Sequence, residues 1–339
     1  MDMQAWQKAV LEGGMHRPMP VLSFPATQLL GITVRDFVFD GEAQAQGMAA
    51  IARRCRAAAA VSAMDLSVEA ECFGAQVHVT DDEVPTVVAP VVAEPEDAER
   101  LAVPAVGAGR TGVYLDAVSR ALELIQDRPV FAGMIGPFSL AGRLMDMTEI
   151  MVHCYESPEM VHLVLEKATD FLIAYARAYR DRGAHGIVMA EPASGLLSPD
   201  LCAEFSSPYV RRIVDAVQDD TFLVIYHNCG PAVARMVPEI LETGAAAYHF
   251  GNAVPIKQML ALMPEDKLVM GNVDPVGAFR NGTPESMRQT VTAVLTENAG
   301  HKNFLLSSGC DIPPATPWEN IDAFFASAEA FYDGDTKQA

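Results

Sequence analysis

The stretch FLVIYHNCGP, residues 222–231, runs five apolar or aromatic residues straight into His, Asn, Cys, Gly and Pro. A continuous apolar run that stops at Gly and Pro reads as a strand buried on both faces, the form taken by parallel strands covered with helices. The same shape recurs as VFAGMIG (130–136), GIVMAE (186–191), AAYHFGN (246–252), KLVMGNV (267–273) and NFLLSSG (303–309). Longer helical segments lie between these runs. SPEMVHLVLEKATDFLIAYARAYRDRG (157–183) spaces its apolar residues by three and four and ends with Arg180, Arg182 and Gly183. TPESMRQTVTAVLTENAG (283–300) offers Thr283 as N-cap, Pro284 in the first turn and Gly300 as the stop. Regular strand and helix alternation leaves a doubly wound sheet or a (β/α)8 TIM barrel, and the barrel is the expectation adopted.

The earlier sequence supplies further strand candidates, VLSF near 21 and AAVSAMD near 59, so one domain over 1–339 is expected. It opens with the amphipathic helix MDMQAWQKAVLEGG. Residues 82–112, rich in Pro, Gly and Ala, read as a surface excursion of the barrel, because no change of composition separates their two sides.

Half of the 339 residues are apolar, enough for a substantial core. The formal charge of −20 would repel a nucleic acid or an anionic membrane, so neither is expected as a partner. No secretion signal opens the chain and no apolar run approaches the roughly 20 residues that span a bilayer, so a cytoplasmic protein is expected. The six cysteines are scattered rather than dense, which favours reduced thiols.

Side chains two apart on a strand point the same way, so His227 and Cys229 would project together at a strand end, into the barrel mouth where such folds keep their active sites. Cys310, in LLSSGCDIPP (305–314), also follows directly on an apolar strand. One imidazole and two thiolates form a ligand set that zinc accepts with a fourth position left open. Spacing alone leaves this reading beside the ordinary one, a buried Cys and a hydrogen-bonded His. Glu191, in VMAEPASG (188–195), ends another strand. It is read as a loop or capping carboxylate, as a fourth ligand, or as a base for the substrate's proton. His249, Asn228 and Asn252, at or near strand ends, are candidates to face a cofactor. Asp65 follows the early strand, and the neighbouring Glu69 and Glu71 read as an exposed helix face. Cys55, Cys72, Cys154, Cys202, His153 and His162 read as structural.

DLSVEAECFGAQV (65–77), GMIGPFSLAGRL (133–144), YRDRGAHGIVMAEPASGLLSP (179–199), YHNCG (226–230), MGNVDP (270–275) and SSGCDIPPATPWENI (307–321), in that order, resemble the uroporphyrinogen decarboxylase superfamily over nearly the whole chain. The resemblance implies a β/α barrel. It also implies one of two branches. True decarboxylases are implied to carry an Arg-rich N-terminal motif of the MRQAGR type and a late Gly-His-Gly. This chain has HRPMPVLSFPATQL (16–29) and SGCD (308–311) instead, although Asp65 lines up with the decarboxylases' pyrrole-binding aspartate.

The other branch is the corrinoid-dependent methyltransferases of the methylcobamide:coenzyme M type, whose zinc motif, His-x-Cys followed much later by Cys, is filled by His227, Cys229 and Cys310. This resemblance implies Zn²⁺, a corrinoid such as methylcobalamin as co-substrate on a separate corrinoid-carrying protein, and a small thiol such as coenzyme M or homocysteine. It leaves open tetrahydrofolate as acceptor and the direction of transfer. The competing readings are a tetrapyrrole decarboxylase using Asp65 and a non-enzymatic corrinoid- or metal-binding protein.

Overall fold

A computed structural model describes residues 1–12 and 15–335. The strands in chain order are β1 (Ala60–Val61), β2 (Val77–His78), β3 (Thr86–Val87), β4 (Val130–Ile135), β5 (Gly186–Ala190), β6 (Leu223–Asn228), β7 (Ala247–Phe250), β8 (Leu268–Val273) and β9 (Phe304–Ser308). Seven of them form one parallel sheet in the order β1-β4-β5-β6-β7-β8-β9, each pairing with the next, while β2 and β3 make a separate antiparallel hairpin. Helices connect the parallel strands, the longest being Pro158–Asp181 between β4 and β5. This is an α/β barrel of a single domain. Among the described residues no helix is long and apolar enough to cross a membrane.

The stretch VLSF does not become a strand. The edges of the curled sheet are instead joined by the segment just before it: Met19 N–H bonds the Leu306 carbonyl of β9 at 2.9 Å, and Ala58 N–H, two residues before β1, bonds the Pro18 carbonyl at 2.9 Å. Pro18 and Pro20 have no N–H to give, so this segment bridges the gap without a regular ladder.

Strand alternation sorts the core into two. Phe131, Val188, Ala190, Leu223, Ile225, Ala247, Leu268, Met270 and Leu305 pack inside the barrel, together with Met3, Trp6 and Val10 of the N-terminal helix Met3–Leu11. Their neighbours Ala132, Met134, Ile187, Met189, Val224, Tyr226, Tyr248, Val269 and Leu306 face the helices. Both faces are buried, which is why the strands read as unbroken apolar runs rather than alternating ones. The N-terminal helix is pinned by Trp6 Nε1–H to the Ala58 carbonyl at 3.2 Å.

Residues 82–112 are less superficial than expected. They hold β3 and the helix Pro95–Arg100, bury Val92 and Ala98, and include Arg110, which is only 2% exposed. Arg110 reaches a carboxylate that its own segment does not supply.

Candidate metal centre

The inward phase that carries Leu223 and Ile225 of β6 next delivers His227, as Ala247 of β7 is followed by His249 and Leu305 of β9 by Ser307. Three polar residues therefore replace the apolar filling at the C-terminal ends of β6, β7 and β9. His227 and His249 are register partners across β6 and β7. Just beyond the strand ends, Cys229 and Cys310 join them: the ligand atoms of His227, Cys229 and Cys310 all lie within 4.8 Å of one another. Cys229 packs against the turn after β7, where Gly251 makes room; a Cβ at 251 would stand 2.3 Å from the Cys229 Cβ.

His227 is buried, and its Nδ1 faces His249 Nδ1 at 2.7 Å, while its Nε2 makes no hydrogen bond. A buried ring nitrogen without a partner is costly in an apolar barrel unless something binds it. The two thiols are coupled. Cys310 donates to Cys229, which lowers the Cys229 pKa, and the same contact together with burial pushes Cys310 up to about 12. Without a nearby cation the pair carries at most one negative charge at neutral pH. An orphaned imidazole nitrogen beside two thiols, all able to reach one point, is a donor set that fits a soft divalent ion such as zinc.

Glu191 lies outside this cluster. Its carboxylate accepts the backbone N–H groups of Phe138 (3.0 Å) and Ser139 (2.7 Å), the open end of the helix Pro137–Met145, and the Ser206 hydroxyl at 3.2 Å. Burial raises its pKa against the pull of these donors. The capping reading of Glu191 is the one its contacts express.

Asp65 is buried and fully engaged. One oxygen takes Arg110 Nη1 and the Tyr114 hydroxyl (2.9 Å), the other the Ser67 hydroxyl (2.6 Å). Arg110 also bonds Glu71 at 2.6 Å. The exposed helix face expected for the two glutamates does not exist. Val68–Cys72 packs inward, Glu71 is half-buried, and Glu69 is 2% exposed, with Oε1 accepting the Ile135 N–H at 3.1 Å and Oε2 without a partner.

The asparagines take different places. Asn228 points to the other side of β6, as strand parity requires, and its amide bonds Ser194 (2.9 Å), Tyr226 (3.1 Å) and Gly230 N–H (2.9 Å), so it shapes the turn that carries Cys229. Asn252 is exposed beyond β7. A residue that the sequence reading passed over, Asp311, puts a half-buried carboxyl directly after Cys310. Its Oδ1 has no partner, and burial with the neighbouring Cys310 raises its pKa well above the usual carboxylate range. Its place in SGCD, next to a ligand candidate, was the available signal.

The family model described as Uroporphyrinogen decarboxylase (URO-D) matches residues 15–331. The chain is 30% identical over 272 residues to Methylcobamide:CoM methyltransferase MtbA of Methanosarcina acetivorans, covering 79% of this chain and 78% of that one. It is 26% identical to the Methylated-thiol–coenzyme M methyltransferase of Methanosarcina mazei, over 93% of this chain and 86% of that one. A solved structure of a methyltransferase from Methanosarcina mazei superposes with a TM-score of 0.85 at 23% identity, covering 98% and 99% of the two chains, a likeness of fold.

Proposed function

The chain belongs to the uroporphyrinogen decarboxylase family, and from that premise we propose that it is a zinc-dependent methyltransferase moving a methyl group between a corrinoid on a partner protein and a small thiol. The observation that carries the proposal is the convergence of His227, Cys229 and Cys310, with a buried, unpartnered Nε2 on the histidine. Relatives named for methylcobamide and for coenzyme M support the substrate classes.

His227, Cys229 and Cys310 would hold the ion. Zinc bound there would hold a substrate thiol as its thiolate at neutral pH, the nucleophilic form. The two cysteine sulfurs offset the charge of the ion, so the substrate sulfur keeps electron density for attack. Transfer to the thiol would form a sulfur–carbon bond as the methyl group leaves the corrinoid, which would keep the bonding pair; the reverse transfer would return it. Glu191 acts at a distance from this chemistry by fixing the helix start beside β5, and Asn228 by shaping the turn before Cys229. Asp65, on which a tetrapyrrole decarboxylase reading would depend, is held by Arg110, Tyr114 and Ser67.

The test is metal analysis of the purified protein, followed by transfer from methylcobalamin to a panel of thiols read by cobalamin absorbance. One zinc per chain, thiol-dependent demethylation, and loss of both in Cys310→Ala are expected. Wild-type protein that takes up no zinc, or Cys310→Ala with undiminished transfer, overturns the assignment.

A further inference from the structure

We propose that Ser307 and His249 form a hydrogen-bonded relay that presets His227 as a ligand, fixing its proton on Nδ1 and leaving the lone pair on Nε2. The use made of that lone pair rests on the metal reading above; the proton arrangement does not. His227, His249 and Ser307 occupy the inward phase of β6, β7 and β9, and the relay runs across the barrel to the closing segment at Met19.

Donor and acceptor roles follow from the fixed end. Ser307 Oγ lies 2.7 Å from the Met19 carbonyl oxygen, which can only accept, so the single hydroxyl proton is committed there. The same Oγ lies 2.8 Å from His249 Nε2. With its proton committed, it can only accept from that nitrogen, so His249 Nε2 carries a proton. His249 is buried and has no carboxylate partner among the described residues, which disfavours its imidazolium.

A neutral His249 then presents a lone pair on Nδ1, 2.7 Å from His227 Nδ1. Two facing lone pairs would repel, so the proton of His227 sits on Nδ1, where the His249 carbonyl at 3.3 Å is a second acceptor. His227 Nε2 is left unprotonated toward the two thiols. The opposite tautomer would turn an N–H at Nε2 toward the two sulfurs, which are weak acceptors, and take the lone pair away from the point where they converge.

Ser307 and His249 are therefore positioning residues, several bonds from any substrate. Partners of this kind typically account for about 10- to 100-fold in metal affinity. Nothing in the local sequence marks Ser307; its role depends on Met19 lying across β9 from it.

The relay is tested with ¹⁵N-histidine-labelled, metal-free protein at pH 8, where long-range ¹H–¹⁵N correlations assign the tautomer of each ring. Wild type is expected to show His227 protonated on Nδ1 and bare on Nε2. Ser307→Ala is expected to populate both tautomers and to bind zinc about tenfold or more weakly in chelator competition, and Ser307→Thr, which keeps the hydroxyl, to restore both. Circular dichroism checks that the variants fold. A His227 protonated on Nε2 in wild type, or a Ser307→Ala protein with unchanged tautomer, overturns the relay. Wild type that shows the expected tautomer but takes up no zinc leaves the relay standing and removes the metal reading instead.

Discussion

Glu191 accepts the backbone N–H of Ser139 at 2.7 Å, so a residue at the end of β5 caps a helix that starts after β4. The contact ties two neighbouring strand ends together at the rim where the histidine and cysteines gather. Gly136 makes it feasible, since a Cβ there would stand 2.6 Å from the Glu191 carboxyl carbon.

Glu191→Ala would orphan two buried amides and remove a charge from the positive end of the helix. Unfolding in urea is expected to show a loss of about 2–3 kcal/mol, while zinc content at saturating metal stays that of wild type. A variant as stable as wild type but lacking zinc would instead make Glu191 a ligand.

Arg110 and Asp65 form an ion pair at 3% and 0% side-chain exposure. Removing one partner leaves a buried charge, so Arg110→Met should cost about 3–5 kcal/mol. The double variant Arg110→Met with Asp65→Asn should recover a good part of this loss. Additive losses in the urea midpoints would show that the two residues do not depend on each other.

Glu69 gives the protein a pH dependence of definite sign. Burial pushes its carboxyl up to about 7, above the value it regains in the unfolded chain. Between those two values the native state holds a proton that the unfolded state has lost, so stability falls as pH rises through that window, by an amount on the order of 3 kcal/mol at most. Glu69→Gln should remove this slope. Denaturation midpoints from pH 4 to 8 that run parallel for the two proteins would count against the buried acid.

Gly251→Ala should weaken metal uptake more than it weakens the fold. The added methyl would sit 2.3 Å from the Cys229 Cβ and 2.5 Å from its Cα, so the cysteine has to move away from its partners. Zinc titration beside a circular dichroism melt separates the two effects. Equal zinc binding in the variant would mean that the turn carrying Cys229 yields freely.

Much of this arrangement was legible before folding was considered. A strand buried on both faces has to be apolar throughout, so β4 to β9 declared themselves, and a polar residue that ends such a run is conspicuous; His227, Cys229 and Cys310 were all found that way. Parity was available too, and it would have put Asn228 on the opposite face from His227. Glu69 carried no such sign. Acids two apart on a short helix look the same in sequence whether the helix meets water or the end of β4.

The chain's own residue order determined the alternation of strands and helices, the inward phase at 223, 225 and 227, and the chemical types available at the rim, because these depend on local periodicity and on neighbours a few positions away. Tertiary structure alone decided that Arg110 neutralises Asp65, that Glu191 caps a helix from another strand, and that Ser307 meets Met19 at one end and His249 at the other. Those pairings join residues 45 to 288 positions apart, and curling the sheet into a barrel, which brings every strand end to one rim, is what sets their distances.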